Sequence, residues 1–242
     1  MSQVEILDRS EMTDKMVKLL RLDPKETAIV TIDMHRGHLD PEVATMPASD
    51  EDCEKVIGNS SELLQFARAH QIPVVHVKLV WRKIPGLGSE GMTVPFWKML
   101  HDIQDDKNRQ TLGRKSTVNG HNIEGEVTTE MIPDLVDEGD YVIDNKKRLD
   151  CFMGTDLKGL LDTLRVKNVC LMGINTNTCV MNTAFTAFNY DYRVVVLSDC
   201  VASMYGPDLH VLGLQNVMRA FGWVLDNEEF KEKVAEGAEA KK

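Results

Sequence analysis

At 242 residues, 43% hydrophobic and 27% charged, the chain has a globular composition and enough length to bury a core without disulfide or metal staples. Its formal net charge of −10 argues against a nucleic-acid partner, because a phosphate-binding surface needs clustered Lys and Arg. Five cysteines, odd in number and without CxxC spacing, read as reduced thiols of a cytoplasmic protein.

No run approaches the roughly 18 apolar residues of a membrane span, so no membrane partner is expected. The opening Met-Ser-Gln-Val-Glu-Ile-Leu-Asp carries charges where a signal peptide has its apolar core. Residues 10–21 have the spacing of a short amphipathic helix, closed off by Asp23-Pro24. Thr27 to Ile32 is β-branched and apolar, a buried first strand, followed by a polar loop from Asp33 to Pro41. Residues 50–70 are predicted helical, with Val56, Ile57, Leu63, Leu64, Phe66 and Ala67 on the apolar face. Ile72 to Val80 is a second strand.

The stretch from 81 to 140 is long, charged and rich in turn signals, the character of a lid or an interface insert. Tyr141 to Asp144 is a third strand, Thr155 to Leu164 a helix with an N-cap candidate, and Asn168 to Gly173 a fourth strand. The segment after Cys179 has helical spacing, Arg193 to Ser198 is a fifth strand, 207–220 a helix, and Gly222 to Leu225 a sixth strand. The tail 228–242 reads as charged, solvated surface. Strands alternating with helices, each strand apolar throughout, predict an α/β fold with a parallel sheet covered on both faces. No repeat or composition break divides the chain, so 1–242 is read as one domain.

Ligands of open parallel sheets bind beyond the carboxyl ends of the strands. Asp33 falls after the first strand, Lys146 after the third and Cys179 after the fourth. A carboxylate, an ammonium and a thiol together suit covalent acyl transfer on an amide. Cys179 also stands where a strand hands over to a helix, whose positive end favours the thiolate. Singly, each has a plainer reading: a loop cap, one member of a basic cluster with Lys147 and Arg148, and a buried core thiol.

Three segments in the same order resemble the isochorismatase-like cysteine hydrolases, a superfamily that includes nicotinamidases, N-carbamoylsarcosine amidase, ureidoacrylate amidohydrolase and biuret hydrolase. They are Ala28-Ile29-Val30-Thr31-Ile32-Asp33-Met34, the run from Lys146 through Cys151-Phe152 to Leu157, and Gly173-Ile174-Asn175-Thr176-Asn177-Thr178-Cys179-Val180, followed downstream by Val194 to Asp199. The resemblance spans about residues 27 to 225. It implies a three-layer α/β/α fold with a six-stranded parallel sheet in the order 3-2-1-4-5-6, and a triad of Asp33, Lys146 and Cys179. It further implies a cis peptide at Ile174-Asn175 and an oxyanion hole formed by the backbone N–H groups of Asn175 and Cys179. Lys146 rather than Lys147 fits the register counted back from Phe152, which leaves Arg148 where relatives often carry Arg.

The implied function is a cysteine amidohydrolase that cleaves a C–N bond of a small ureido, carbamoyl or amide compound through a thioester. Unperturbed pKa values of about 8.5 for Cys and about 3.9 for Asp make transfer of the thiol proton to Asp33 uphill by about 6 kcal/mol. A helix N-terminus supplies up to about 2 kcal/mol; the rest falls to Lys146 and to desolvation of Asp33. His35, Trp81, Arg82 and Arg148 are candidate substrate contacts. No cofactor or metal is expected: nicotinamidases bind a metal through an Asp-x-His pattern on a later loop, and no such pattern follows the second strand here. His76, alone in an apolar run, reads as a packed histidine. Besides the small-molecule substrate, further copies of the chain are expected as partners, in a dimer or tetramer. The alternatives are a metal-assisted nicotinamidase-type amidase, an isochorismatase-type vinyl-ether hydrolase, which Cys179 argues against, and a non-catalytic binding protein, which an intact triad argues against.

Overall fold

The computed structural model describes residues 5–85, 95–96, 99 and 121–240. Its frame follows from six apolar runs that pair in parallel. Helix α1 (Ser10–Leu19) precedes β1 (Thr27–Ile32), a short helix α2 (Arg36–Leu39) and α3 (Asp50–Ala69). Then come β2 (Val74–Leu79), β3 (Tyr141–Lys146), α4 (Leu157–Thr163) and β4 (Asn168–Ile174). Helix α5 (Met181–Asn189), β5 (Arg193–Ala202), α6 (Pro207–Ala220), β6 (Trp223–Leu225) and α7 (Asn227–Glu239) complete the chain. The strand order is β3-β2-β1-β4-β5-β6, all neighbours parallel.

Successive residues of a strand face opposite sides, and the core is divided accordingly. Val30, Ile32, Val75, Leu171 and Val196 pack with Leu157, Leu161 and Ala184 on one face. Ile29, Met172, Val195 and Leu197 pack with Leu63, Leu64 and Phe230 on the other. Burial of both faces is what makes β1 and β4 continuous apolar runs. Gly173 is required where those two strands meet: its φ is +121°, and a Cβ there would lie 2.1 Å from the Ile32 carbonyl oxygen.

The structure departs from the sequence-based expectations at several points. The loop after β1 contains α2, which the expected polar loop from Asp33 to Pro41 lacked. β3 is not apolar throughout; as an edge strand it buries only Ile143 and Lys146. Asp156 stands at the N-cap of α4 without a side-chain cap; the Thr155 hydroxyl, one residue earlier, accepts from the Leu157 N–H at 3.2 Å. The charged tail is solvated on one face only, where Glu228, Glu232 and Glu239 are exposed as expected. It forms α7, started by a capping box between Asp226 and Glu229 and burying Phe230 and Val234. The expected insert at 81–140 lies largely outside the described residues; its described part includes two 3₁₀ turns at Val127–Thr129 and Pro133–Leu135.

His76 is packed, as expected, yet not by apolar contact alone. Its Nδ1 is 2.7 Å from the Thr31 hydroxyl and its Nε2 is 3.0 Å from Asp140 Oδ2, which also pairs with Arg68 at 2.6 Å. Burial pushes the Asp140 carboxyl upward, but the His76 and Arg68 hydrogen bonds outweigh it and bring its pKa down to about 2.

Candidate active site

Asp33 follows β1 directly, in left-handed backbone conformation with φ 53°, which Asp tolerates better than most residues. Its N–H donates to the Val77 carbonyl at 2.9 Å, and its Oδ1 accepts from the Leu79 N–H at 2.8 Å. The end of β2 therefore fixes both the backbone and the carboxylate of Asp33. Oδ2 accepts from Lys146 Nζ.

Lys146 reaches this position through an irregularity in β3. Val77 pairs with Ile143 and Leu79 with Lys146, so β3 spends three residues where β2 spends two. Without that extra residue the alternation would turn Asn145 inward; the bulge aims Lys146 instead. The side chain is wholly buried. Burial works against its charge, but Asp33 and the neighbouring Cys179 and Cys151 outweigh it and raise its pKa above the ordinary lysine value. Lys147 is half-buried and donates to the Asn145 carbonyl at 3.2 Å. Of the two lysines, Lys146 is the one brought to Asp33.

Cys179 lies within a π-helical turn, Thr176–Val180, that runs straight into α5. The helical segment thus starts before the cysteine and not after it. The Asn175 carbonyl accepts from the N–H groups of Thr178 and Val180, passing over that of Cys179. The Ile174-Asn175 peptide is cis. Side chains of this loop are tied to the segment after β5: Asn175 Oδ1 accepts from the Met204 N–H at 2.9 Å, Asn177 Oδ1 from Ser203 Oγ at 2.6 Å, and Thr176 Oγ1 is 2.8 Å from His210 Nδ1.

The expectation that the helix start eases ionisation of Cys179 is not met in the resting site. Burial pushes the thiol well up, Lys146 pulls it down, and the charge and hydrogen bond of Asp33 push it up again. The net result is a neutral thiol beside a carboxylate, with a permanent ammonium next to both. Cys151, also buried, is pushed up to about 12 by the same desolvation.

The remaining candidates divide. His35 is wholly buried beside the triad, where Lys146 acts on its charge. Trp81 is buried with Leu79 and Ile123 in a small core cluster, bridged to Ile123, so it packs the base of the insert. Arg82 points to the surface and pairs with Glu124 at 2.8 Å. Arg148 donates to the Lys147 carbonyl at 2.8 Å. Neither arginine is brought to the triad. Neighbours to which the sequence assigned no role are Tyr205, which burial and Cys179 push up to about 12, and the imidazoles of His38 and His121. Among the described residues no group of three or more His, Cys, Asp or Glu side chains is placed to share a metal ion, and no helix is long and apolar enough to cross a membrane.

Residues 27–229 match the isochorismatase domain, and the chain belongs to that family. Among its relatives, the ureidoacrylate amidohydrolase RutB of Serratia proteamaculans is 28% identical over 219 residues, covering 86% of this chain and 82% of the relative. That of Acinetobacter baylyi is 25% identical, covering 87% and 84%. The fold is shared with a cysteine hydrolase from Pseudomonas syringae pv. phaseolicola, at TM-score 0.71 and 21% identity over 90% of this chain and 98% of that one. It is shared also with N-carbamoylsarcosine amidase from Thermoplasma acidophilum, at TM-score 0.62 and 23% identity over 84% and 97%.

Proposed function

We propose that this protein is a cysteine amidohydrolase acting on a small ureido, carbamoyl or amide compound through a thioester. The observation that carries the reading is the convergence of Asp33, Lys146 and Cys179, all buried, at the carboxyl ends of β1, β3 and β4. Its support from the relatives is that those named ureidoacrylate amidohydrolases match over most of both chains.

In the proposed reaction Cys179 Sγ attacks the carbonyl carbon while its proton passes to Asp33. Because the resting thiol is held neutral, this transfer belongs to the attack itself. Lys146 stabilises the negative charge as it moves from the carboxylate to the sulfur. The tetrahedral oxyanion lies against the backbone N–H groups of Asn175 and Cys179. Collapse breaks the C–N bond, Asp33 returns the proton to the departing nitrogen, and ammonia or an amine leaves. Water then adds to the thioester with Asp33 as base, releasing the acid and restoring the thiol.

The test is a screen of small ureido compounds and carboxamides for ammonia release, with Cys179→Ser as control and mass spectrometry of the quenched enzyme. Turnover by the wild type, lost by about 10³-fold or more in Cys179→Ser, with an acyl adduct on the Cys179 peptide, is expected. Turnover that survives both Cys179→Ser and thiol alkylation would overturn the proposal.

A further inference from the structure

Three imidazoles stand together beside the triad with no role in the reaction just described. His35, His38 and His121 are buried. The rings of His35 and His38 stack at 4.8 Å, His121 meets His38 edge-on at 4.8 Å, and His35 and His121 are 6.2 Å apart. Gly37 permits this packing, since a Cβ there would lie 2.8 Å from the Thr128 carbonyl oxygen and 3.1 Å from His35 Nδ1. The charges of the triad reach the cluster: Lys146 acts on His35 and His38, and Asp33 acts on His38 and His121.

The hydrogen bonds define what the cluster offers. His38 Nδ1 is 2.8 Å from the Met46 carbonyl. A carbonyl only accepts, so Nδ1 carries the proton and Nε2 of the neutral ring is a bare acceptor. His121 spends Nδ1 on the Thr45 hydroxyl at 2.7 Å, and its Nε2 takes no part in that bond. In His35 neither ring nitrogen closes a hydrogen bond of ordinary geometry among the described residues. The Thr128 backbone acts on the ring without closing a hydrogen bond of ordinary geometry, and a ring proton directed at that carbonyl leaves the other nitrogen as an acceptor. Burial, first of all causes, lowers the pKa of each of the three rings, so they are neutral around pH 7. A wholly buried imidazole with neither nitrogen satisfied is rare in folded proteins and calls for a ligand.

We infer that His35 and His38, backed by His121, form an acceptor wall that takes the N–H edge of the substrate, and that the substrate is a ureido compound with an N–H where a simple amide has a methylene. The inference rests on the amidohydrolase reading and narrows it. A neutral wall of lone pairs accepts from a ureido N–H and repels a carboxylate, so any acid group of the substrate lies away from it. A methylene in place of the N–H leaves the buried acceptor unpaired, the kind of mismatch that discriminates strongly between isosteres.

A matched pair tests this: N-carbamoylglycine and succinamate differ only in N–H for CH₂ at the position next to the carbonyl. Binding of each is measured by calorimetry to Cys179→Ala, and then to the same protein carrying His35→Leu or His35→Gln. The parent should bind N-carbamoylglycine at least tenfold more tightly than succinamate. His35→Leu should reduce the preference to threefold or less, and His35→Gln, which keeps an acceptor oxygen, should retain most of it. Absence of binding by both compounds, equal binding, or a preference that survives His35→Leu overturns the wall. The amidohydrolase reading fails separately, if the wild type releases no ammonia from either compound while Cys179→Ala still discriminates between them.

Discussion

Lys146 and Asp33 form an ion pair with almost no solvent on either partner, their side chains 0% and 2% exposed. Such a pair contributes little net stability over an apolar equivalent, because desolvating two charges offsets their attraction. Breaking it is another matter. Lys146→Met should leave the Asp33 carboxylate buried with only the Leu79 N–H and the Cys179 thiol as partners among the described residues and cost about 3–5 kcal/mol, read as a lower urea midpoint at unchanged slope. Lys146→Met combined with Asp33→Asn, which tolerates the left-handed backbone and still accepts from the Leu79 N–H, should recover much of that stability with no activity. A double variant as unstable as the single one would show that the pair is not the source of the loss.

The reactivity of Cys179 should depend on its two neighbours with opposite signs. Asp33 raises the thiol and Lys146 lowers it, both against a background set by burial. Alkylation by iodoacetamide in the resting protein should be slow at pH 7 and rise with pH beyond the range of a free thiol. Asp33→Asn should move the profile to lower pH and speed alkylation at pH 8, whereas Lys146→Met should move it up and slow it. The measurement is the rate of modification of the Cys179 peptide between pH 6 and 10. Shifts of the same sign in both variants would contradict the charge arrangement.

The Thr31–His76–Asp140–Arg68 chain clamps β1 and β2 to the end of the insert, and its effect is pH-dependent. Asp140 has a folded pKa of about 2, below the value of about 3.9 for an unfolded Asp. A depressed carboxyl stabilises the fold above its unfolded pKa and loses that contribution as pH falls through the folded one. The Asp140 side chain is 3% exposed, but the residue as a whole is partly exposed, so the effect is discounted for solvent screening to about 1–2 kcal/mol. Asp140→Asn should therefore be less stable than wild type by that amount at pH 6, and the gap should close between about pH 4 and 2. Urea unfolding at pH 6, 4 and 2.5 measures it; a gap that persists unchanged at pH 2.5 would refute the assignment.

The sheet and the triad were legible in the sequence because both are written locally. β1 and β4 are apolar runs with no polar competitor, and Asp33 and Cys179 follow them immediately. Lys146 was legible as a candidate at a strand end, but its choice over Lys147 came only by resemblance. The bulge that turns it inward is a register relation between β2 and β3, and nothing within Asn145-Lys146-Lys147 reveals it. The histidine wall was half visible: His35 and His38 are adjacent to Asp33, but His121 arrives from 83 residues further along the chain, a distance that only the fold closes. Arg82 misled because a guanidinium near a strand end resembles a carboxylate binder; Glu124, its partner, is also set by the fold. The tail misled for a compositional reason. Its Glu and Lys residues dominate the count, and the two apolar anchors, Phe230 and Val234, are one helical turn apart among them.

That helix, α7, should be a substantial part of the stability. Phe230 is fully buried among residues that include Leu63, Leu64 and Val234, and its ring meets that of Phe66 edge-on at 6.2 Å. Gly237 is pressed so close to the chain at Leu22 that a Cβ would lie 2.3 Å from the Leu22 carbonyl oxygen. Phe230→Ala should cost about 3–5 kcal/mol, the usual range for emptying an aromatic site in a core. Asp226→Ala, which removes the cap on the Glu229 N–H, should cost about 1 kcal/mol. Glu232→Ala, on the outer face of the same helix, should change stability by no more than about 0.5 kcal/mol. Urea midpoints of the three variants place them in that order if α7 is an integral layer of the fold. Three near-neutral results would return the segment to the solvated tail that its composition describes.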